Sequence, residues 1–211
     1  MACEICRPGG LDLTAELLSG IPLRHDLRVL DVGCGQGSTL NMLAKQYDIH
    51  GTGLDSDAPA LRAAKEAASP DIRWIHSDFL SCSLPDASFD LILFECSYSK
   101  IDPPAAAVRL AHRLLCAGGS LLLSDLYSKA EEMTLSGSLG RLEHLESIRT
   151  TIEDAGFTVL ELTDRSAVLK AYAAQMYFSK EETSLSRDLL AHRDELLLAR
   201  PGYFILKAIR K

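Results

Sequence analysis

Short apolar runs alternate with stretches of helical period along this chain. Leu27 to Val32 is a compact apolar run that ends in a glycine-rich turn, and it predicts a first strand. Ser38 to Tyr47 follows with Leu40, Leu43 and Ala44 on one face, a helix that Ser38 is placed to cap. Ile49–Leu54 predicts a second strand, Ala58–Ala68 a helix that tolerates Pro59 in its first turn, and Ile72–Ile75 a third strand. Phe89–Phe94 is almost wholly apolar, as suits a strand buried on both faces. Pro104–Leu115 reads as a helix closed by a Gly118–Gly119 turn, and Ser120–Ser124 as a fifth strand.

The last third departs from this rhythm. Leu142–Ala155 predicts an amphipathic helix stopped by Gly156, and Phe157–Leu162 a sixth strand. Ala167–Leu198 reads as mostly helical with a break near Ser179, and Tyr203–Ile209 as a closing strand. A short leading helix is expected over Leu11–Leu18. Repeated βα units predict a doubly wound α/β fold with a mainly parallel sheet and helices on both faces. The last strand arrives after a long helical excursion, so it is expected to enter antiparallel beside the sixth.

Composition narrows the possibilities. At 211 residues the chain suits one domain, expected as an N-terminal lid (1–26), a cofactor-binding half (27–125) and a C-terminal half (126–211). The net charge of -7 gives nothing to the counterion release that drives nucleic-acid binding, so no nucleic-acid partner is expected. No apolar run reaches the roughly 20 residues that a membrane helix needs, so no membrane partner is expected either. Met1–Gly10 is short, polar and cysteine-bearing, unlike a secretory signal. The six cysteines, Cys3, Cys6, Cys34, Cys82, Cys96 and Cys116, lack the spacing of a disulfide scaffold, and a reducing, cytoplasmic setting is expected. No His or Cys spacing calls for a metal. Leu185, Leu189, Leu196 and Leu197 form an apolar stripe that suits core or lid packing, or a homodimer face; monomer and homodimer both stay open.

The chemistry concentrates in Leu30-Asp31-Val32-Gly33-Cys34-Gly35-Gln36-Gly37, where the first strand turns into a helix. Glycines there admit a ligand to the backbone, and the helix start offers free N–H groups. A dinucleotide fingerprint spaces its glycines G-x-G-x-x-G. Here Gly37 comes one residue early and Ser38 holds the expected place, which disfavours a nicotinamide cofactor. There is no P-loop run. Asp55 ends the second strand about 20 residues further on, as a ribose diol requires of its carboxylate. Asp78 beside Phe79 pairs an acceptor with an apolar slot, which suits adenine.

These motifs resemble, in order, those of the class I S-adenosylmethionine-dependent methyltransferases of the type 11 group. The match carries on through Gly53-Leu54-Asp55, Ser77-Asp78-Phe79, Leu84 to Asp90 and Leu114 to Leu121. The resemblance implies a Rossmann-like, seven-stranded sheet with an antiparallel last strand, and S-adenosylmethionine as cofactor. It implies cofactor contacts from Asp31, Gly33, Cys34, Gly35, Gly37, Asp55, Ser56, Asp78, Phe79 and Glu95. Arg7-Pro8-Gly9-Gly10, Glu95-Cys96 and Leu123 to Tyr127 also resemble a small bacterial subgroup, a likeness that names no substrate.

A small-molecule acceptor is expected over the end of the fourth strand, at Glu95 and Cys96, beneath the N-terminal segment and a Met133–Arg141 loop. Many relatives carry His where Ser99 stands, so that base is missing. Glu95 has three readings: a hold on the methionine amino group, a general base, or a surface or capping carboxylate. Cys96 is either a small buried hydrophobe or, with Cys3 and Cys6, part of a thiol site for a metalloid, thiol or selenium acceptor; Phe94-Glu95-Cys96-Ser97 is similar to a segment of arsenite methyltransferases. A non-catalytic S-adenosylmethionine-binding module is the remaining alternative. Asp125 and Tyr127 are placed to line the acceptor pocket or to pack; His76 and His144 are expected to be structural.

Overall fold

The computed structural model describes residues 7–67, 69–179 and 184–211. The chain opens with α1 (Gly10–Leu18) and winds through β1 (Arg28–Val32), α2 (Ser38–Tyr47), β2 (His50–Asp55), α3 (Ala58–Glu66) and β3 (Ile72–His76). It then crosses to β4 (Phe89–Glu95), a single 3-10 turn (Tyr98–Lys100), α4 (Pro104–Leu114) and β5 (Leu115–Tyr127). A hairpin of β6 (Met133–Leu135) and β7 (Gly140–Leu142) leads to α5 (Leu145–Asp154) and β8 (Phe157–Asp164). Helices α6 (Ser166–Ser179), α7 (Ser184–Ala191) and α8 (Arg193–Ala199) precede β9 (Gly202–Arg210).

Seven strands form one sheet in the order β3-β2-β1-β4-β5-β9-β8. Pairings among β1 to β5 are parallel, and β9 runs antiparallel to both neighbours. The last strand thus lies between the fifth and the sixth expected strands, not merely beside the sixth. The alternation of side chains along each strand divides the core in two. Leu30, Val32, Ile92 and Phe94 face α4 and α5. Val29, Leu91 and Leu93 face α1 and α2, and Leu169 of α6 joins that side. Asp31 and Glu95 share the parity of this second set, so both carboxylates point toward α1 and α2.

Asp90 explains why an acid opens β4. Its carboxylate accepts from the Arg28 backbone N–H at 3.0 Å and from the guanidinium at 3.0 and 2.9 Å, tying the start of β4 to the start of β1. The guanidinium holds the Asp90 carboxyl below its ordinary range.

Local pattern and structure part at three places. Helix α4 passes directly into β5 at Leu115, with no intervening glycine turn, because the Gly118–Gly119 pair sits in a register shift between Phe89 and Leu91 instead. Leu142, expected to open a helix, pairs instead with Met133 in a strand, and α5 begins only at Leu145. Ser38 does not cap α2; Gly37 does, in a left-handed conformation (φ 73°). A Cβ there would lie 2.1 Å from the Trp74 ring, so close ring packing demands the glycine.

Leu122 sits at the centre of β5 with no exposure. Leu122→Ala is expected to cost about 3 kcal/mol by urea unfolding, whereas Leu160→Ala, at a side chain 64% exposed, should stay within about 0.5 kcal/mol.

Candidate active site

The site grows from the carboxyl ends of β1, β2 and β4. After β1, the Gly33 and Cys34 N–H groups both donate to the Leu54 carbonyl, at 2.7 and 3.2 Å, which pulls the loop over β2. Asp55 at the end of β2 then accepts from the Gly35 N–H at 2.7 Å and from the Asp57 N–H at 2.8 Å. Both carboxylate oxygens are oriented this way, and each keeps a lone pair for a further donor. The glycines differ in what they make room for. Gly33 approaches Ser97 and Gly37 approaches Trp74, while Gly35 faces open space. Of the three, only Gly35 has open space where a side chain would stand.

An open cleft of about 560 Å³ runs along this edge. Gly33, Asp55, Ser56, Asp78, Phe79 and Cys96 line it. Phe79 is buried and packs edge-on against Phe94, with centroids 5.4 Å apart. Asp78 accepts from the Leu80 N–H at 2.8 Å, which leaves its outer oxygen exposed. The Ser56 carbonyl meets His76 Nε2 at 3.0 Å. Cys34 sits off the cleft, with its sulfur behind the loop against Gly53, where burial raises its pKa.

Behind the cleft lies a buried charged network. Glu95 accepts from the Thr14 hydroxyl of α1 at 2.7 Å and from the Thr39 hydroxyl of α2 at 2.6 Å. Arg7 reaches the same carboxylate at 3.1 Å and donates to Thr14 and Thr39 at 2.5 and 2.9 Å. One glutamate therefore holds the N-terminal segment, α1 and α2 together. A buried carboxylate is tolerable only when paired in this way. Asp31, only 3% exposed, has no hydrogen-bond partner among the described residues. Burial first, and then the nearby Glu95, push its pKa up to about 8.

Arg7, Thr14 and Thr39 were not singled out as site residues from the sequence. A signal existed: Thr14 and Thr39 are polar positions inside apolar helical stripes, next to Leu13 and Leu40. Nothing local linked them to a glutamate 81 and 56 residues away.

On the acceptor side, Cys96 adopts a positive φ of 57°, and its sulfur meets the Tyr203 hydroxyl at 2.9 Å. Burial pushes the Cys96 thiol up to about 12, so it stays protonated near neutrality. Cys3 and Cys6, the other members of the expected thiol site, lie outside the described residues. Cys96, Lys100, Asp125, Ser138 and Tyr203 border a smaller chamber next to the cleft. Asp125 is buried there and accepts from the Ser99 N–H, the Ser99 hydroxyl and the Leu126 N–H at 2.9, 3.1 and 2.8 Å. Tyr127 packs against Phe204 instead. The Met133–Arg141 segment, expected as a loop, is the β6–β7 hairpin, and Asp188 of α7 holds its tip through Ser138 at 2.7 and 2.5 Å. His144 and His76 bond backbone carbonyls. Among the described residues no cluster of His, Cys, Asp or Glu is placed to hold a metal, and no helix is long and apolar enough to cross a membrane.

Residues 29–119 match the family model described as a methyltransferase domain. Over these residues the chain is a methyltransferase domain. The matched methyltransferase segment holds the glycine loop, Asp55, Asp78–Phe79, Glu95, Cys96 and Lys100; Arg7, Asp125, Ser138 and Tyr203 lie outside it. Phosphoethanolamine N-methyltransferase 1 of Arabidopsis thaliana is 30% identical over 75% of this chain and 34% of its own length. An uncharacterized methyltransferase of Mycobacterium tuberculosis is 37% identical over 44% of this chain and 47% of its own length. The chain thus spans a third to a half of these curated relatives. The fold agrees with phosphoethanolamine N-methyltransferase 2 of Haemonchus contortus, solved with S-adenosylhomocysteine (TM-score 0.78, 19% identity, 97% of this chain and 53% of that one). It agrees equally with the cyclase SpnF (TM-score 0.80, 22% identity, 94% and 80%).

The raised pKa of Asp31 has a signed consequence. Its protonated form stabilises the folded chain at low pH, and that contribution is lost as pH rises from about 4 toward 8. Asp31→Asn does not titrate. Thermal melts of the protein without cofactor at pH 5 and pH 8 should show the variant gaining more than about 1 kcal/mol on the wild type between them.

Proposed function

We propose that this protein transfers the methyl group of S-adenosylmethionine to a small-molecule acceptor. The observation that carries this reading is the alignment, along one cleft, of the loop backbone at Gly33, the carboxylate of Asp55 oriented by the Gly35 N–H, and the Asp78–Phe79 slot. Asp55 has lone pairs for two ribose hydroxyls. Phe79 offers a buried ring edge and Asp78 an acceptor for the adenine amino group. Asp31 and Glu95, on one face of adjacent strands, form the anionic wall toward the amino end of the methionine moiety. Asp31 makes no hydrogen bond among the described residues, and a buried carboxylate so placed fits an incoming ammonium.

S-adenosylmethionine supplies a methyl group already activated on a sulfonium, so the protein's share is alignment and exclusion of water. Glu95 serves this share as an anchor rather than a base, since both its oxygens are taken by Thr14, Thr39 and Arg7. The 3-10 turn after β4, braced by Ser99 on Asp125, sets the distance between cleft and chamber. The thiol or metalloid reading needs a thiolate at Cys96, and the buried, hydrogen-bonded thiol speaks against it. SpnF has this fold and is a cyclase, so turnover, beyond cofactor binding, is the decisive property.

Calorimetric titration should show S-adenosylmethionine and S-adenosylhomocysteine binding and NAD failing to bind. Asp55→Ala should lose about 30-fold in affinity, the equivalent of about 2 kcal/mol for two charge-assisted hydrogen bonds. An ammonium beside Asp31 lowers its pKa, so binding near pH 7 should release a proton, seen as heat that varies with buffer ionisation and vanishes in Asp31→Asn. Cys96→Ser should keep turnover. A folded protein that binds neither cofactor form would refute the proposal.

A further inference from the structure

The acceptor side of the cleft holds an exposed cation, Lys100, that no described residue engages by contact. Lys100 closes the 3-10 turn after β4, and it lines the cofactor cleft, the chamber beside Cys96 and the outer cleft beneath the β6–β7 hairpin. It is the residue common to all three. Among the described residues its ammonium makes no ion pair and no hydrogen bond. The other cations nearby are committed. Arg7 is on Glu95, Arg141 is on Glu143 and the carbonyls of Tyr98 and Ile101, and Lys129 is on Asp164. The facing carboxylates are committed too. Asp125 already meets three donors from Ser99 and Leu126; burial, the largest influence, penalises its charged form, and Lys100 acts on it the other way through space without a contact. Asp102, at the outer cleft, lies 3.9 Å from Arg141.

We propose that Lys100 recognises an oxyanion on the methyl acceptor, a carboxylate or a phosphate, at the junction of chamber and cofactor cleft. The inference rests on the methyl-transfer reading for its direction. A sulfonium in the cleft and an ammonium at its edge repel one another, and more strongly as the closed site excludes water. An anion seated between them cancels that repulsion, so an acceptor bearing one is drawn to the place where its nucleophilic atom is needed. The platform is stiff enough to aim the cation. Tyr98 and Ser99 are buried on either side of the turn, and the Lys100 N–H donates to the Ser97 carbonyl at 3.2 Å.

The test is an NMR titration at constant ionic strength, following backbone amides of residues 97–101 and 138. The titrants are inorganic phosphate, acetate and neutral acetamide. Each is added to the protein without cofactor, with S-adenosylhomocysteine and with S-adenosylmethionine. Phosphate or acetate should shift these amides, the stronger of the two naming the oxyanion class, and acetamide should not. Affinity should be severalfold higher with the sulfonium than with the neutral thioether. Lys100→Met should weaken it about tenfold, and Lys100→Arg should restore most of the loss. Anion shifts that survive in Lys100→Met, or no shifts in the folded wild type, overturn the assignment. Equal affinity with both cofactor forms overturns the placement beside the sulfonium. Failure of both cofactor forms to bind, with Lys100-dependent anion shifts intact, sinks the methyl-transfer reading and leaves the anion site standing.

Discussion

The site depends on a reversal in how the sheet grows. From β1 the chain builds outward to β2 and β3, then returns to place β4 on the other flank of β1. The crossovers on either side of β1 therefore lead to opposite faces, and a crevice opens where their loops part, at the carboxyl ends of β1 and β4. Asp31, the glycine loop and the Glu95–Cys96 step all fall at that seam because they occupy the ends of these two strands. Their pairing register, with Val32 opposite Phe94, brings them level.

Buried charge is the second constraint. Two carboxylates on one face of adjacent strands are unfavourable in an apolar interior unless something answers them. The structure answers Glu95 with two threonines and an arginine from three separate segments, and leaves Asp31 mostly protonated near neutrality. The same bonds fasten Arg7 and α1 to the end of β4 and to α2.

The acceptor side has a different character. Cys96, Tyr203 and Asp125 are held by burial and by each other, with the thiol and the phenol kept protonated. A wall of that kind positions a substrate and donates hydrogen bonds; it does not remove protons. The hairpin tip above, where Gly137 packs against Asp188, links this wall to α7, near which Leu190 and Leu197 are exposed.

The seven strands, the mainly parallel order and the loop that ends β1 were legible in the sequence, because period and glycine spacing are local properties of a chain. The place of Asp55 at the end of β2 and of Phe79 just after β3 was legible for the same reason. What only the tertiary structure decided is long-range. Trp74, not a ligand, demands Gly37; Arg7 and two threonines, far apart in the chain, answer Glu95; the closing strand slips between β5 and β8; and Met133–Leu142 folds as a hairpin rather than a loop and helix start. Each of these turns on which side chains meet across the fold, and packing complementarity and the pairing of buried charge act between residues that no sequence window brings together.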